Sequence, residues 1–174
     1  MSIISTKRLT LRPFCESDLE AIYNNWTYDE RVARYCRWYP HESIEETKAY
    51  LDMILNEAKN GFDYRWAITL KDNDEPIGCI DVPAIEEDGK TAHIGYLISH
   101  KYWNNGYMTE AYSAVIEFLF EHGFECIKAG HHINNPASGK VMEKCGMKFV
   151  GVDRAPAKFG SDELCEVKCY EIRK

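Results

Sequence analysis

Between Tyr64 and Ser99 the apolar residues alternate with polar ones, and this change of period constrains the fold more than any other feature of the chain. Tyr64, Trp66, Ile68 and Leu70 recur every second residue, NDEP supplies a turn, and IGCIDVPAI resumes an extended pattern. Asp88-Gly89 is a hairpin signal leading into TAHIGYLIS. Three consecutive antiparallel strands follow from this pattern.

The segments on either side have a different period. RLTLRPF from Arg8 is a short strand, and Ser17 with Glu20 forms a capping box ahead of Leu19, Ile22, Tyr23 and Trp26 on one helical face. A second box, Ser43 with Glu46, opens a helix carrying Tyr50, Leu51, Ile54 and Leu55 that stops near Asn60-Gly61. YDERVARYCRWYPH, between these helices, is rich in aromatics and arginine and is placed over a pocket mouth. After Ser99 come the loop YWNNGY, a helix from about Gly106 to His122 closed by Gly123, a strand near CIKAGHHI, a short helix, and two strands around MKFVGV and LCEVKCYEI. A helix linking the strand that ends near Ile98 to the one beginning near Cys126 implies a parallel pair, so the sheet is mixed.

The 174 residues suit a single domain, 1–174, with its own core and no need of metal or disulfide staples. A net charge of −7 argues against a nucleic-acid surface and mildly favours a cationic partner such as an amine, although a solvated acidic surface is the commoner reason for such a balance. The seven cysteines show neither CxxC pairs nor metal-ligand spacing and read as reduced core thiols. The adjacent His131 and His132 would point to opposite faces of a strand, which disfavours chelation, so no metal is expected. The N-terminal residues carry early Lys and Arg and no long apolar run, so neither a signal peptide nor a membrane span is expected and the cytoplasm is the default. Nucleotide binding is disfavoured because neither GxxxxGK[ST] nor GxGxxG occurs.

Two segments carry chemistry. In YWNNGYMTEA, Asn104 or Asn105 can cap a helix and Gly106 permits close approach to the backbone. Unpaired N–H groups and the helix dipole there favour an anion, although NNG is also a common turn. That helix presents Met108, Ala111, Tyr112, Val115, Phe118 and Leu119 to a sheet. In NNPASGKVMEKCGMKF, Asn135 is an N-cap, Pro136 takes the first helical position and Gly146 follows the last. Val141, Met142 and Cys145 face the core, leaving Ser138, Lys140 and Lys144 for solvent or ligand.

In this order RLTLRP, HIGYLI, YWNNGYMTEA and NPASGKVMEKCGM resemble the GNAT superfamily of N-acetyltransferases, in its RimJ/RimL-like branch, over nearly the whole chain. The resemblance implies an α/β (α+β) fold: a mixed, mostly antiparallel sheet of about seven strands flanked by helices, with splayed central parallel strands. It implies acetyl-coenzyme A as donor, the pyrophosphate lying over Asn104, Asn105, Gly106, Tyr107, Met108 and Thr109 with Lys144 nearby. The pantetheine would run along Leu97, Ile98 and Ser99. Asn135 would hold the pantetheine amide, and Ser138 would stabilise or protonate the departing thiolate. The acceptor would be a primary amine, either a protein N-terminal α-amine or a small cationic amine, and dimers are common in the family.

Three departures accompany the resemblance. Asn105 stands where the branch often has Lys or Arg, Met142 replaces a tyrosine that serves as acid in other branches, and His93 replaces the glutamate common before IGY. An imidazole can take a proton from an alkylammonium near neutral pH, so His93 is a candidate base, although a strand histidine also serves structure. The alternative reading is a coenzyme A-binding sensor that does not catalyse transfer.

Overall fold

The computed structural model describes residues 2–62 and 64–174. Eight strands are assigned among them: β1 (Ile4–Ser5), β2 (Leu9–Arg12), β3 (Arg65–Leu70), β4 (Pro76–Ile85), β5 (Thr91–Ile98), β6 (Cys126–His132), β7 (Lys148–Pro156) and β8 (Leu164–Arg173). The helices are α1 (Leu19–Ile22), α2 (Glu30–Ala33), α3 (Ile44–Lys59), α4 (Tyr107–Glu121) and α5 (Pro136–Lys144). The strands hydrogen-bond in the order β1-β2-β3-β4-β5-β6-β8-β7. The strand beyond the expected seven is β1, whose two residues pair with Leu11 and Thr10 and are too few to show any alternation.

The sheet is mostly antiparallel, with β5 and β6 as its parallel pair. That pair is in register over three residues of each strand, Thr91–His93 against Cys126–Lys128, while β5 runs on to Ile98 and β6 to His132. This short register is the splay expected of the fold.

The described residues fall into two compact units. One contains the N-terminal segment to Arg34, Tyr39–Asp81 and Tyr96–Tyr107. Here Leu9, Leu11, Trp66, Ile68, Ile77 and Ile80 are fully buried, and each such side chain contributes about 1.5–3 kcal/mol of apolar burial. β3 departs from the alternation seen in its sequence, because Ala67 and Thr69 are as buried as Trp66 and Ile68. It lies between β2 and β4 with both faces covered, and interior strands have no wet face to mark.

In the same unit, the first helical stretch begins after Cys15 and not at Ser17. Asp18 accepts the Cys15 N–H (2.9 Å) and is clamped by Arg12 (2.8 and 2.9 Å), so this buried ion pair, and not the Ser17–Glu20 box, sets the start. A π turn, Tyr23–Thr27, follows α1 and seats Trp26 in the core. Of the box at Ser43 only half is formed: Ser43 Oγ accepts the Glu46 N–H at 3.4 Å, but the Glu46 carboxylate takes the N–H of Glu42, one residue before the cap, at 2.9 Å.

The other unit contains Tyr35–Trp38, Val82–Gly95 and Met108–Lys174. The buried face of α4 includes Met108, Ala111, Tyr112, Val115, Ile116 and Leu119; Phe118 is half-buried and stacks on His122 at 3.8 Å. The loop after β7 grips the Tyr35–Trp38 segment. Lys158 Nζ donates to the carbonyls of Cys36 (2.8 Å) and Trp38 (3.0 Å), Phe159 N–H donates to the Arg37 carbonyl (2.6 Å), and the Arg37 guanidinium lies 4.7 Å from the Phe159 ring centroid. All seven cysteines are free, but only Cys79 and Cys126 are buried; Cys36, Cys145, Cys165 and Cys169 are half-buried and Cys15 is exposed, so most do not lie in the core as expected. Among the described residues no helix is long and apolar enough to cross a membrane.

Candidate active site

The loop before α4 is built from left-handed turns. Asn104 has φ of 62° and Gly106 of 75°, conformations that Asn and Gly tolerate best. Neither asparagine is seen capping α4: Asn105 Nδ2 donates to the Trp103 carbonyl (2.9 Å), closing the loop on itself. Trp103 Nε1 donates to the Ile98 carbonyl (2.8 Å), tying the loop to the end of β5. Asn104, Asn105 and Gly106 are exposed, so the chain leading into α4 meets solvent.

Arg8 was read from the sequence only as the start of a strand. Its Nη1 donates to the Asn105 carbonyl (3.0 Å), and its guanidinium lies 4.3 Å from the Tyr107 ring centroid. A cation therefore stands beside the loop despite the asparagine at 105.

At the end of β5, Ser99 N–H donates to the Ile77 carbonyl (2.8 Å). A Cβ on Gly78 would meet the Leu97 carbonyl oxygen at 2.4 Å and Ile98 Cα at 2.9 Å, so β4 approaches β5 as closely as only glycine allows. The Leu97 carbonyl and Ser99 N–H thus face β4. Alternation along a strand turns the intervening Ile98 N–H to the opposite edge.

In the second unit, Ser113 Oγ donates to Cys145 Sγ (3.3 Å) and Cys145 Sγ contacts the Thr109 carbonyl (3.6 Å). These contacts hold the C-terminal end of α5, with exposed Lys144, against the first turns of α4 carrying Thr109. At the other end of α5, Asn135 N–H donates to the His132 carbonyl (2.7 Å) and Ser138 N–H to the Asn135 carbonyl (3.2 Å). The Asn135 side chain forms no cap, and Ser138 is half-buried. Met142 is 1% exposed and fills the core.

His93 lies apart from Asn135 and Ser138 in its bonding. Its Nε2 is 2.9 Å from Glu86 Oε1, which also accepts from Lys128 Nζ at 2.7 Å. A carboxylate accepts, so Nε2 carries the proton and Nδ1 is the basic nitrogen of the neutral ring. The hydrogen bond from Lys128, then that from His93, holds the Glu86 carboxyl below the usual carboxylate range. Among the described residues no group of three or more His, Cys, Asp or Glu is arranged to hold a metal ion.

A helix start preceded by left-handed residues, a nearby guanidinium and the outward Ile98 N–H together suit a long anionic ligand. Residues 8–148 match the model of the acetyltransferase (GNAT) domain. The N-acetyltransferase YoaA of Bacillus subtilis (strain 168), itself uncharacterised, is 35% identical over 155 residues, covering 87% of this chain and 86% of YoaA. The chain belongs to the GNAT acetyltransferase family and is an acyltransferase. Among solved structures, a GNAT-family acetyltransferase from Bacillus anthracis superposes with a TM-score of 0.85 at 27% identity, over 99% of this chain and 98% of that one. Two more distant structures share the fold. One is the Salmonella typhimurium enzyme that modifies the N-terminal serine of ribosomal protein L7/L12 (TM-score 0.80, 20% identity, 99% of each chain). The other is Vibrio cholerae spermidine N-acetyltransferase in complex with CoA and spermine (TM-score 0.77, 19% identity, 95% of each chain).

Proposed function

We propose that residues 1–174 act as one N-acetyltransferase domain that moves the acetyl group of acetyl-coenzyme A to a primary amine. The observation that carries this reading is the helix start at Asn104–Thr109, with two left-handed residues and Arg8 alongside. The pyrophosphate is assigned to the amides of Asn104, Asn105, Gly106, Tyr107, Met108 and Thr109, with Arg8 beside the loop; the family resemblance adds Lys144. The pantetheine is assigned to β5 at Leu97, Ile98 and Ser99, where the outward Ile98 N–H is available to polarise the thioester carbonyl.

Attack by the amine nitrogen on that carbonyl forms a tetrahedral oxyanion; a preorganised N–H donor to it contributes about 3 kcal/mol. Collapse breaks the C–S bond and releases thiolate. Asn135 orients the pantetheine, and Ser138 stabilises the sulfur anion by a hydrogen bond. His93, its tautomer held by Glu86, is the proposed base for the ammonium proton. The acceptor is a protein N-terminal α-amine or a small cationic amine, classes represented by the Salmonella and Vibrio enzymes above. The net charge of −7 supports a cationic acceptor.

The test is thiol release from acetyl-coenzyme A in the presence of polyamines, amino acids, aminoglycosides or peptides with free N-termini. Acceleration by one class supports the enzyme and identifies its acceptor. Calorimetric binding of coenzyme A without acceleration by any of them would favour the sensor instead.

A further inference from the structure

His131 is 6% exposed on β6, and its two ring nitrogens have different surroundings. Nδ1 lies 2.9 Å from the His132 carbonyl oxygen; a carbonyl only accepts, so Nδ1 carries the proton. Nε2 is buried with no hydrogen-bond partner. It points at Gly139 of α5, where an added Cβ would lie 2.5 Å from Nε2 and 3.2 Å from each flanking ring carbon. The imidazole edge therefore fills the space left by the glycine. The ring also packs on Tyr170 (5.6 Å between centroids), whose hydroxyl donates to Glu143 Oε1 on α5 at 3.1 Å.

The His132 carbonyl has a second donor, the Asn135 N–H (2.7 Å), and the Asn135 carbonyl in turn accepts the Ser138 N–H (3.2 Å). One carbonyl thus links the imidazole to the start of α5. A buried acceptor left unpaired is disfavoured, and retaining one calls for something that offsets it. A leucine would fill the same volume without that cost, but it would not hold the carbonyl.

We infer that His131 is a positioning residue that sets the height and orientation of the first turn of α5 from both ends of one ring. Nδ1–H fixes the His132 carbonyl from which Asn135 hangs, and the Nε2 edge is the stop against which Gly139 rests. The inference rests on the assignment of Asn135 and Ser138 to the site. It adds a residue that touches neither donor nor acceptor yet governs the groups that do.

The experiment compares His131→Leu, His131→Asn and Gly139→Ala. Asparagine keeps an N–H donor near the position of Nδ1, whereas leucine keeps bulk alone. Amide hydrogen exchange on the unliganded protein is read at residues 134–139, with α4 as internal reference. Steady-state kcat and KM are measured beside it. In His131→Leu, exchange at 134–139 rises about tenfold with α4 unchanged. Its kcat falls about tenfold while KM for acetyl-coenzyme A moves less than about twofold, as a small misplacement of reacting groups produces. His131→Asn restores both, and Gly139→Ala raises exchange at the same amides. Wild-type exchange in His131→Leu, or equal loosening in the leucine and asparagine variants, overturns the inference. If the wild-type protein releases no thiol with any amine but the exchange pattern appears as stated, the proposed function fails and the positioning role stands.

Discussion

Arg8 and Tyr107 are stacked, guanidinium on ring at 4.3 Å, while Arg8 Nη1 holds the carbonyl of Asn105 at 3.0 Å. Residues about a hundred positions apart in the chain thereby share one task, bracing the turn at the start of α4 and placing a positive charge beside it. Arg8→Ala is expected to raise KM for acetyl-coenzyme A about tenfold with kcat nearly unchanged, the effect of losing one charge-assisted contact. Arg8→Lys should recover only part, since an ammonium lacks the planar fork and stacks poorly. Initial rates at low and high salt check both, and an unaltered KM in the alanine variant would leave Arg8 a purely structural brace.

Gly78→Ala should be costly. The new Cβ meets main-chain atoms of Leu97 and Ile98 that cannot swing aside, so β4 and β5 must separate locally. The expected loss is about 3 kcal/mol, a fall in Tm on the order of 8 °C for a chain of this length. Turnover should fall as well because Ile98 N–H moves. Thermal unfolding alongside kcat tests this.

Ser138→Ala is expected to lower kcat between about tenfold and a hundredfold, the range for one positioned proton-handling group. Coenzyme A binding measured by calorimetry should stay within about twofold of wild type if the hydroxyl acts only on the departing sulfur. Equal losses in both would make Ser138 a binding or folding residue.

His93→Gln should flatten the alkaline-side rise in rate if His93 takes the ammonium proton. Glu86→Gln should weaken the same limb, because the carboxylate that keeps the proton on Nε2 is gone. An identical profile in His93→Gln removes it from the mechanism.

Burial pushes the Cys36 thiol up to about 11, with nearby Lys158 opposing the shift. The folded thiol thus stays protonated where an unfolded one, near 8.5, has ionised. From about pH 8.5 upward the unfolded chain binds fewer protons than the native one, so stability falls as pH rises, by about 3 kcal/mol in total at pH 11. Urea unfolding between pH 8 and 11 should show a shallower decline in Cys36→Ala than in the parent. Exposed Cys15 should react with iodoacetamide at pH 8 well before Cys36 does.

Much of the fold was legible because its signals are local. Asp88-Gly89 turns the chain between β4 and β5, Ser43 caps α3, and Gly123 and Gly146 close α4 and α5 with φ of 97° and 84°. The misplaced start at Ser17 shows where such signals fail: Asp18 is recruited by Arg12, and a buried ion pair outweighs a sequence-adjacent cap. The π turn at Tyr23–Thr27 leaves no periodic trace. Arg8 reads from the sequence only as a strand start, and His131 only as half of a pair unsuited to chelation, for a related reason. Each acts on a main-chain carbonyl or a glycine, and neither kind of partner carries a side-chain pattern to read. His93 was singled out correctly as a strand histidine, but its tie to Glu86 and Lys128 depends on the short parallel register that brings β6 alongside β5.

The grip of the β7–β8 loop on residues 35–38 has an evolutionary corollary. Lys158 and Phe159 hold the main-chain carbonyls of Cys36, Arg37 and Trp38, and the Phe159 ring takes the Arg37 guanidinium besides. The three main-chain hydrogen bonds do not depend on which side chains stand at those positions, so drift there costs the segment the Arg37–Phe159 contact and not its fastening. For an engineer this is a loop pinned by its backbone, where side-chain changes are limited by packing around the Cys36 thiol and not by loss of the Lys158 contacts.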